Sequence, residues 1–257
     1  MTQNSPLVVA FDLDDTLAPS KSPIDPRIGD LLVRLAERVE VAIISGGQIE
    51  QFRTQVVDLL PEAPDALSHV HLLPTCGTRY DRFDGTAFSP VYAHGLTDEE
   101  KSAAIVAVEE EARRLGVWEA HAWGERIEDR GSQITFSALG QSAPVDAKRA
   151  WDPDGAKKNA LRQAVAVRVP DLEVRSGGST SVDITRKGID KAFGMRRLSE
   201  QTGIALSDML FYGDRLDPDG NDRPVLDMGE VACVAVTGWE DTADHLDALL
   251  KELPPRV

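Results

Sequence analysis

Cysteine is scarce in this chain of 257 residues, which has only Cys76 and Cys233. Two cysteines cannot build a disulfide framework, and these two lack the spacing of a zinc site. A reducing cytoplasm is the expected compartment. Long apolar runs are missing as well. None approaches the roughly 20 residues of a membrane helix, which excludes a helical membrane protein. The opening Met1–Pro6 is polar and lacks the basic start and apolar stretch of a secretory leader. Basic charge is in short supply: 28 Lys and Arg stand against 43 Asp and Glu, for a net charge of −15. A field of that sign repels nucleic acid and anionic membranes, so no partner of either kind is expected. A phosphorylated small molecule would have to be held by a metal and a few local bases. The histidines form no ligand pattern beyond His69-x-His71, which reads as ordinary strand alternation.

What the chain does have is apolar residues at 42% and charged residues at 28%, enough for one large soluble domain or two ordinary ones. Its opening segment, Leu7-Val8-Val9-Ala10-Phe11-Asp12-Leu13-Asp14-Asp15-Thr16-Leu17, is an apolar run ending in carboxylates. The run predicts a buried parallel strand, and open α/β sheets bind ligands at the C-terminal ends of such strands. Asp12 and Asp14, one residue apart, project to the same side of an extended chain. Such a pair is costly unless a cation neutralises it or one member holds a proton. By itself Asp-x-Asp is also a common turn sequence.

The first 80 residues predict a βαβαβ rhythm. Asp25-Pro26 starts a helix with Ile28, Leu31, Leu32 and Leu35 on one face. Val39–Ile44 forms a second strand ending in Ser45-Gly46-Gly47. A helix follows with Ile49, Phe52, Val56 and Leu60 on its face, and His69–Leu73 forms a third strand. Arg79–Gly85 predicts a hairpin with an Asp-Gly turn. Thr97-Asp98-Glu99-Glu100 is a capping box before a helix running to Gly116. Arg126–Leu139 is extended around Gly131, Trp151–Gly155 is a loop, Ala156–Arg168 a helix, and Leu172–Arg175 and Ser181–Thr185 strands. Strict alternation is lost here, which predicts an α+β insertion over residues 89–186 within an α/β domain formed by 1–88 and 187–257. The rhythm resumes with a helix over Ile189–Thr202 stopped by Gly203, strands at Met209–Tyr212 and Val231–Val236, and a last helix over Asp241–Leu250.

Groups suited to phosphoryl transfer stand at successive strand ends and at one helix start. Asp12 and Asp14 follow the first strand. Ser45, Gly46 and Gly47 offer a hydroxyl and amides to a phosphoryl oxygen. Lys187 and Lys191 flank a helix start, and Asp214 then Gly220-Asn221-Asp222 follow a late strand. Each alone reads as a turn or a solvated residue. Together a carboxylate nucleophile, a hydroxyl, a lysine and further carboxylates describe transfer through an aspartyl phosphate.

These segments resemble the motifs of the haloacid dehalogenase (HAD) superfamily. Asp12-Leu13-Asp14-Asp15-Thr16-Leu17 matches the first, Ser45 the second, Lys191 the third and Gly213-Asp214…Asn221-Asp222 the fourth. The insertion falls where the superfamily carries its type C2B caps, which implies a Rossmann-like parallel-sheet core with an inserted α+β cap. A closer resemblance is to the eukaryotic-type α-phosphomannomutases. It rests on Gly188-Ile189-Asp190-Lys191, on Gly213–Asp222 with Pro218, on Ile127–Gln141 with Arg130, and on Gly177–Asp183 with Ser181 and Asp183. It implies Asp12 as nucleophile, Asp14 as acid/base, and Mg²⁺ held by Asp12, the Asp14 carbonyl and Asp214, with Asp222 ligating or orienting. Ser45, Gly46 and Lys191 would meet the phosphoryl oxygens. Lys21, Arg130, Gln141, Lys148, Ser181 and Asp183 are the implied substrate-binding positions.

The resemblance further implies a phosphosugar substrate, a hexose bisphosphate activator and a homodimer through the cap. Two departures bear on the acceptor. Gln141 and Lys148 stand where the family has arginines, and Asp15 stands where glycine is usual. Glutamine lacks the charge and lysine lacks the bidentate fork with which arginine grips phosphate. A mutase, which returns the phosphoryl group to a sugar, and a phosphatase, which gives it to water, therefore both stand as readings. A phospho-aspartate receiver is the third, at odds with an acidic pair that opens the chain and with so large an insertion.

Overall fold

The computed structural model describes residues 5–256, so Met1–Asn4 of the polar opening lie outside the described residues. Strand β1 (Val8–Phe11) is fully buried. Helix α1 (Pro26–Ala36) begins where Asp25 accepts the Arg27 N–H, with proline in the first turn. Strand β2 (Glu40–Ile44) and helix α2 (Ile49–Gln55) follow. The α2 helix stops short of the expected Leu60. Val56 leaves helical geometry at φ −126°, and Val57–Leu59 form a 3₁₀ turn. The Gln55 carbonyl is taken by the Ile24 N–H, 2.8 Å away, and β-branched Val56 and Val57 favour the break. A short α3 (Pro64–Leu67), not expected from the sequence, leads into β3 (Val70–Leu73). Then β4 (Arg79–Phe83) and β5 (Phe88–Ala93) form the predicted hairpin, its turn held by Asp84.

That hairpin corrects the expected boundary. Because β4 pairs antiparallel with β3 and β5 with β4, residues 89–93 remain in the core sheet. The compact units are Met1–Ala93 with Ile189–Val257, and His94–Gly188.

In the second unit, α4 (Asp98–Arg114) has its capping box: Thr97 Oγ1 accepts the Glu100 N–H, and the Glu100 carboxylate accepts that of Thr97. Strands β6 (Ile127–Asp129) and β7 (Gln133–Ser137) are followed by α5 (Val145–Trp151), another helix not expected, and by α6 (Ala156–Arg168). Strands β8 (Leu172–Ser176) and β9 (Ser181–Arg186) complete an antiparallel sheet in the order β6-β7-β9-β8. Alternation gives this sheet two faces. Ile134, Phe136, Val174, Val182 and Ile184 form a core with Ala104, Val108, Leu161 and Val165 of α4 and α6. The opposite face carries Gln133, Thr135 and Ser137 of β7 and Ser181, Asp183 and Thr185 of β9.

The chain returns through α7 (Lys191–Thr202), which is capped by Asp190 and ends at left-handed Gly203. Strand β10 (Met209–Gly213), helix α8 (Arg223–Asp227), strand β11 (Ala232–Ala235) and helix α9 (Trp239–Glu252) finish the unit. Its sheet runs β11-β10-β1-β2-β3-β4-β5, parallel through the first five. Successive β1 residues serve opposite layers: Val9 and Phe11 pack with α1 and α9, Val8 and Ala10 with Met195 and Leu198 of α7. Among the described residues no helix is long and apolar enough to cross a membrane.

Candidate active site

Strand β1 has β10 on one side and β2 on the other, with all three parallel. The residues just past their C-terminal ends therefore become neighbours although they are far apart in the chain. Asp12 follows β1, Ser45 follows β2 and Asp214 follows β10. Lys191 is the first residue of α7, and its side chain is 1% exposed. Its ammonium lies 2.6 Å from Asp12 Oδ1 and 2.5 Å from Asp222 Oδ1. The other Asp222 oxygen, Oδ2, accepts the Arg215 N–H at 3.0 Å. One carboxylate oxygen from each of Asp12, Asp214 and Asp222 lies within 4.8 Å of the other two.

Burial raises the Asp12 carboxyl above its ordinary range; Lys191 opposes this and Asp222 adds to it. Asp214 is raised by burial and by repulsion from Asp222. Burial alone would pull the Lys191 ammonium down, but Asp12 and Asp222 together push it up. Three carboxylates thus share one lysine, and oxygen donors with surplus negative charge are the donor set that a hard divalent cation prefers. The residues fit Mg²⁺.

The Asp14 side chain is held elsewhere. It accepts the Lys21 N–H (2.7 Å), the Gln51 amide (2.9 Å) and the Gln55 amide (3.4 Å). The main chain of Lys21, at φ 56°, therefore makes the contact that is visible at that predicted position. Asp15 adopts φ 60°, in the left-handed region that favours glycine. Aspartate tolerates the left-handed region better than most residues, and its side chain accepts the Ser20 N–H at 3.1 Å. Thr16 donates to Asp214 Oδ1 at 3.4 Å while its carbonyl accepts the Thr242 hydroxyl of α9.

In the Ser45-Gly46-Gly47 loop, the Ser45 hydroxyl oxygen accepts the Gly47 N–H at 3.1 Å, which leaves its own proton for a ligand. The loop is braced from the end of β3 by Thr75 and Cys76, both left-handed. Cys76 N–H donates to the Ser45 carbonyl and Thr75 N–H to that of Gly47.

The second unit gathers the other predicted residues on two parts of its surface. Asp183 stands opposite Thr135 across the β7–β9 pair and accepts its hydroxyl at 2.8 Å, and Gln133 donates to Thr135. Burial raises the Asp183 carboxyl, and Arg130 pulls it back. Arg130 also donates Nε and Nη2 to Glu128 at 3.0 and 2.8 Å. Ser181 lies on the Asp183 face, opposite Ser137. Gln141 and Lys148 form a separate pair: Lys148 Nζ donates to the Gln141 carbonyl at 3.1 Å, and Gln141 Nε2 is buried without a partner. This unit holds 16 acidic and 14 basic residues, so the charge excess sits in the first unit. Of the residues that touch the site, Thr16, Gln51, Gln55, Thr75 and Cys76 were not foreseen. Only the four-residue spacing of Gln51 and Gln55 offered a signal.

Solved structures of similar fold include an IMP-nucleotidase from Plasmodium falciparum (TM-score 0.69, 13% identity, 95% of this chain and 70% of that one). Another is a haloacid dehalogenase-like hydrolase from Bacteroides thetaiotaomicron (TM-score 0.65, 15% identity, 95% of this chain and 100% of that one). The fold is that of the HAD class. A "Probable phosphomannomutase" of Caenorhabditis elegans is 26% identical over 258 residues, covering 97% of this chain and 98% of its own. The profile described as "Eukaryotic phosphomannomutase" matches residues 120–252, and the chain belongs to that family. Membership in an enzyme family removes the receiver reading.

Proposed function

We propose that this protein is a Mg²⁺-dependent hexose-phosphate phosphomutase working through Asp12. The observation that carries this reading is the buried Lys191 ammonium joining Asp12 to Asp222 beside Asp214. An Asp12 carboxylate oxygen attacks phosphorus, and the bond from phosphorus to the sugar oxygen breaks. That oxygen takes a proton from Asp14; acid–base help of this kind contributes roughly 10²–10⁴-fold. Lys191, the Ser45 hydroxyl and the Gly46 amide receive the phosphoryl oxygens. When bound, Mg²⁺ would neutralise charge on the transferring group, held by Asp12, Asp214 and the Asp14 carbonyl, with Asp222 ligating or orienting. The aspartyl phosphate gives its phosphoryl group to the free hydroxyl of a hexose monophosphate, whose proton Asp14 takes, and the bisphosphate so formed reorients and returns its other phosphoryl group to Asp12.

Lys21, Arg130, Ser181 and Asp183 serve as sugar-phosphate contacts in this proposal. A cytoplasmic location, a hexose bisphosphate activator and a homodimer through the second unit belong to the same reading. A phosphatase is the second reading, favoured by Gln141 and Lys148, which place no guanidinium at two family arginine positions. The test incubates mannose 1-phosphate with Mg²⁺ and catalytic hexose 1,6-bisphosphate, followed by ³¹P NMR. The mutase yields mannose 6-phosphate. Inorganic phosphate without any 6-phosphate overturns it in favour of the phosphatase.

A further inference from the structure

Two glutamines outside the chemistry above both end on Asp14. Gln51 and Gln55 lie one turn apart on α2, Gln51 half-buried and Gln55 buried. Gln51 Nε2 donates to Asp14 Oδ2 at 2.9 Å. Gln55 Nε2 donates to Asp14 Oδ1 at 3.4 Å and to the Ser22 carbonyl at 2.6 Å. Both groups facing the Gln55 amide are acceptors, which forces its NH₂ toward them. The consequence is that Gln55 Oε1 is buried without a partner. An acceptor stranded in this way costs about 1–3 kcal/mol. Two further restrictions serve the same carboxylate. Lys21 adopts a left-handed backbone where its N–H reaches Asp14 Oδ1. Gly47 leaves room for Gln51, because a Cβ there would collide with Gln51 Oε1. A stranded carbonyl and a left-handed lysine are features that packing alone does not require.

An ionised carboxylate offers about four lone-pair sites. The Lys21 and Gln55 donors occupy Oδ1 and the Gln51 donor takes one site on Oδ2, so the open site is on Oδ2. We propose that Gln51 and Gln55 are positioning residues for the acid/base: they fix the plane of the Asp14 carboxylate and leave Oδ2 as the atom that carries the proton. As Asp12 bonds to phosphorus and the bond from phosphorus to the sugar oxygen breaks, the electron pair stays on the sugar oxygen, which takes its proton from Asp14 Oδ2. This rests on the role of Asp14 proposed above.

The test compares leaving groups in the first turnover of the full-length protein with Mg²⁺. The p-nitrophenolate of p-nitrophenyl phosphate departs without a proton, whereas a hexose alkoxide needs one. Gln51→Ala and Gln55→Leu should slow phosphoryl transfer from the hexose 1-phosphate on the order of 10²-fold. Both should keep the p-nitrophenolate burst within about threefold, which also reports that they fold, since misplacing only the acid leaves the other contacts intact. Asp14→Asn is the reference and should show the same contrast more strongly. If Asp14→Asn shows no contrast, the acid/base role itself fails and the inference falls with it. If Asp14→Asn shows it, but the glutamine variants lose both substrates equally or neither, the positioning role is overturned alone.

Discussion

Lys191→Met removes one charge and keeps a side chain of similar length, which makes it the sharpest probe of the site. The ammonium is 1% exposed and lies within 2.6 Å of Asp12 and 2.5 Å of Asp222. Water cannot replace it without opening the core. Removing one partner of a buried pair leaves the other uncompensated and costs about 3–5 kcal/mol. In a protein of this size each kcal/mol moves the midpoint by about 2–4 °C, so the variant should melt about 6–20 °C lower. Differential scanning calorimetry in EDTA at pH 7.5 isolates this effect from metal binding. Pairing the change with Asp222→Asn removes one orphaned carboxylate and should recover part of the loss. Turnover should fall at least on the order of 10²-fold, because the role proposed for Lys191 is to meet charge that develops in transfer. A metal-free midpoint within about 2 °C of the parent, with no coupling to Asp222→Asn, would refute the reasoning.

Three other outcomes are expected. Burial opposes ionisation of Glu40, but hydrogen bonds from His71, Arg256 and His69 outweigh it and hold its pKa at about 2 instead of 4.5. Its stabilisation is therefore full above pH 4.5 and is lost as pH falls from there toward 2; burial also lowers His71 below 6.5, so both groups weaken the fold in acid. Urea unfolding should show Glu40→Gln less stable at pH 7 and less sensitive to acid below pH 4.5. At the left-handed Asp15, Asp15→Val should cost about 1–2 kcal/mol in urea melts, while Asp15→Gly stays within about 1 kcal/mol because it exchanges the Ser20 contact for backbone freedom. Gly213→Ala would set a methyl 2.5 Å from Asp222 Oδ2 and displace that carboxylate from Lys191, lowering initial rates on the order of 10²-fold.

Features that neighbouring residues decide between them could be read directly from the chain. Asp25-Pro26, Thr97–Glu100 and Gly203 delimit helices because each satisfies or relieves backbone groups within a few residues. Asp12, Ser45 and Asp214 were legible for a related reason: a parallel sheet brings every strand's C-terminal end to one edge, so strand order in the chain already implies proximity. The tertiary structure decided whatever depends on a distant partner. The α2 helix ends early because Ile24 captures the Gln55 carbonyl, and β5 stays with the first unit because β4 pairs with β3. His69 and His71 alternate as expected, yet their position beside Glu40 is set by packing of β2 against β3. The same applies to Asp14. Local sequence presents a carboxylate after a strand, but its hold on Gln51, Gln55 and the Lys21 amide exists only once α2 and the following loop have folded against it. Hydrogen bonds are short-ranged and directional, so the groups that orient a side chain are known only after the chain has brought them within reach.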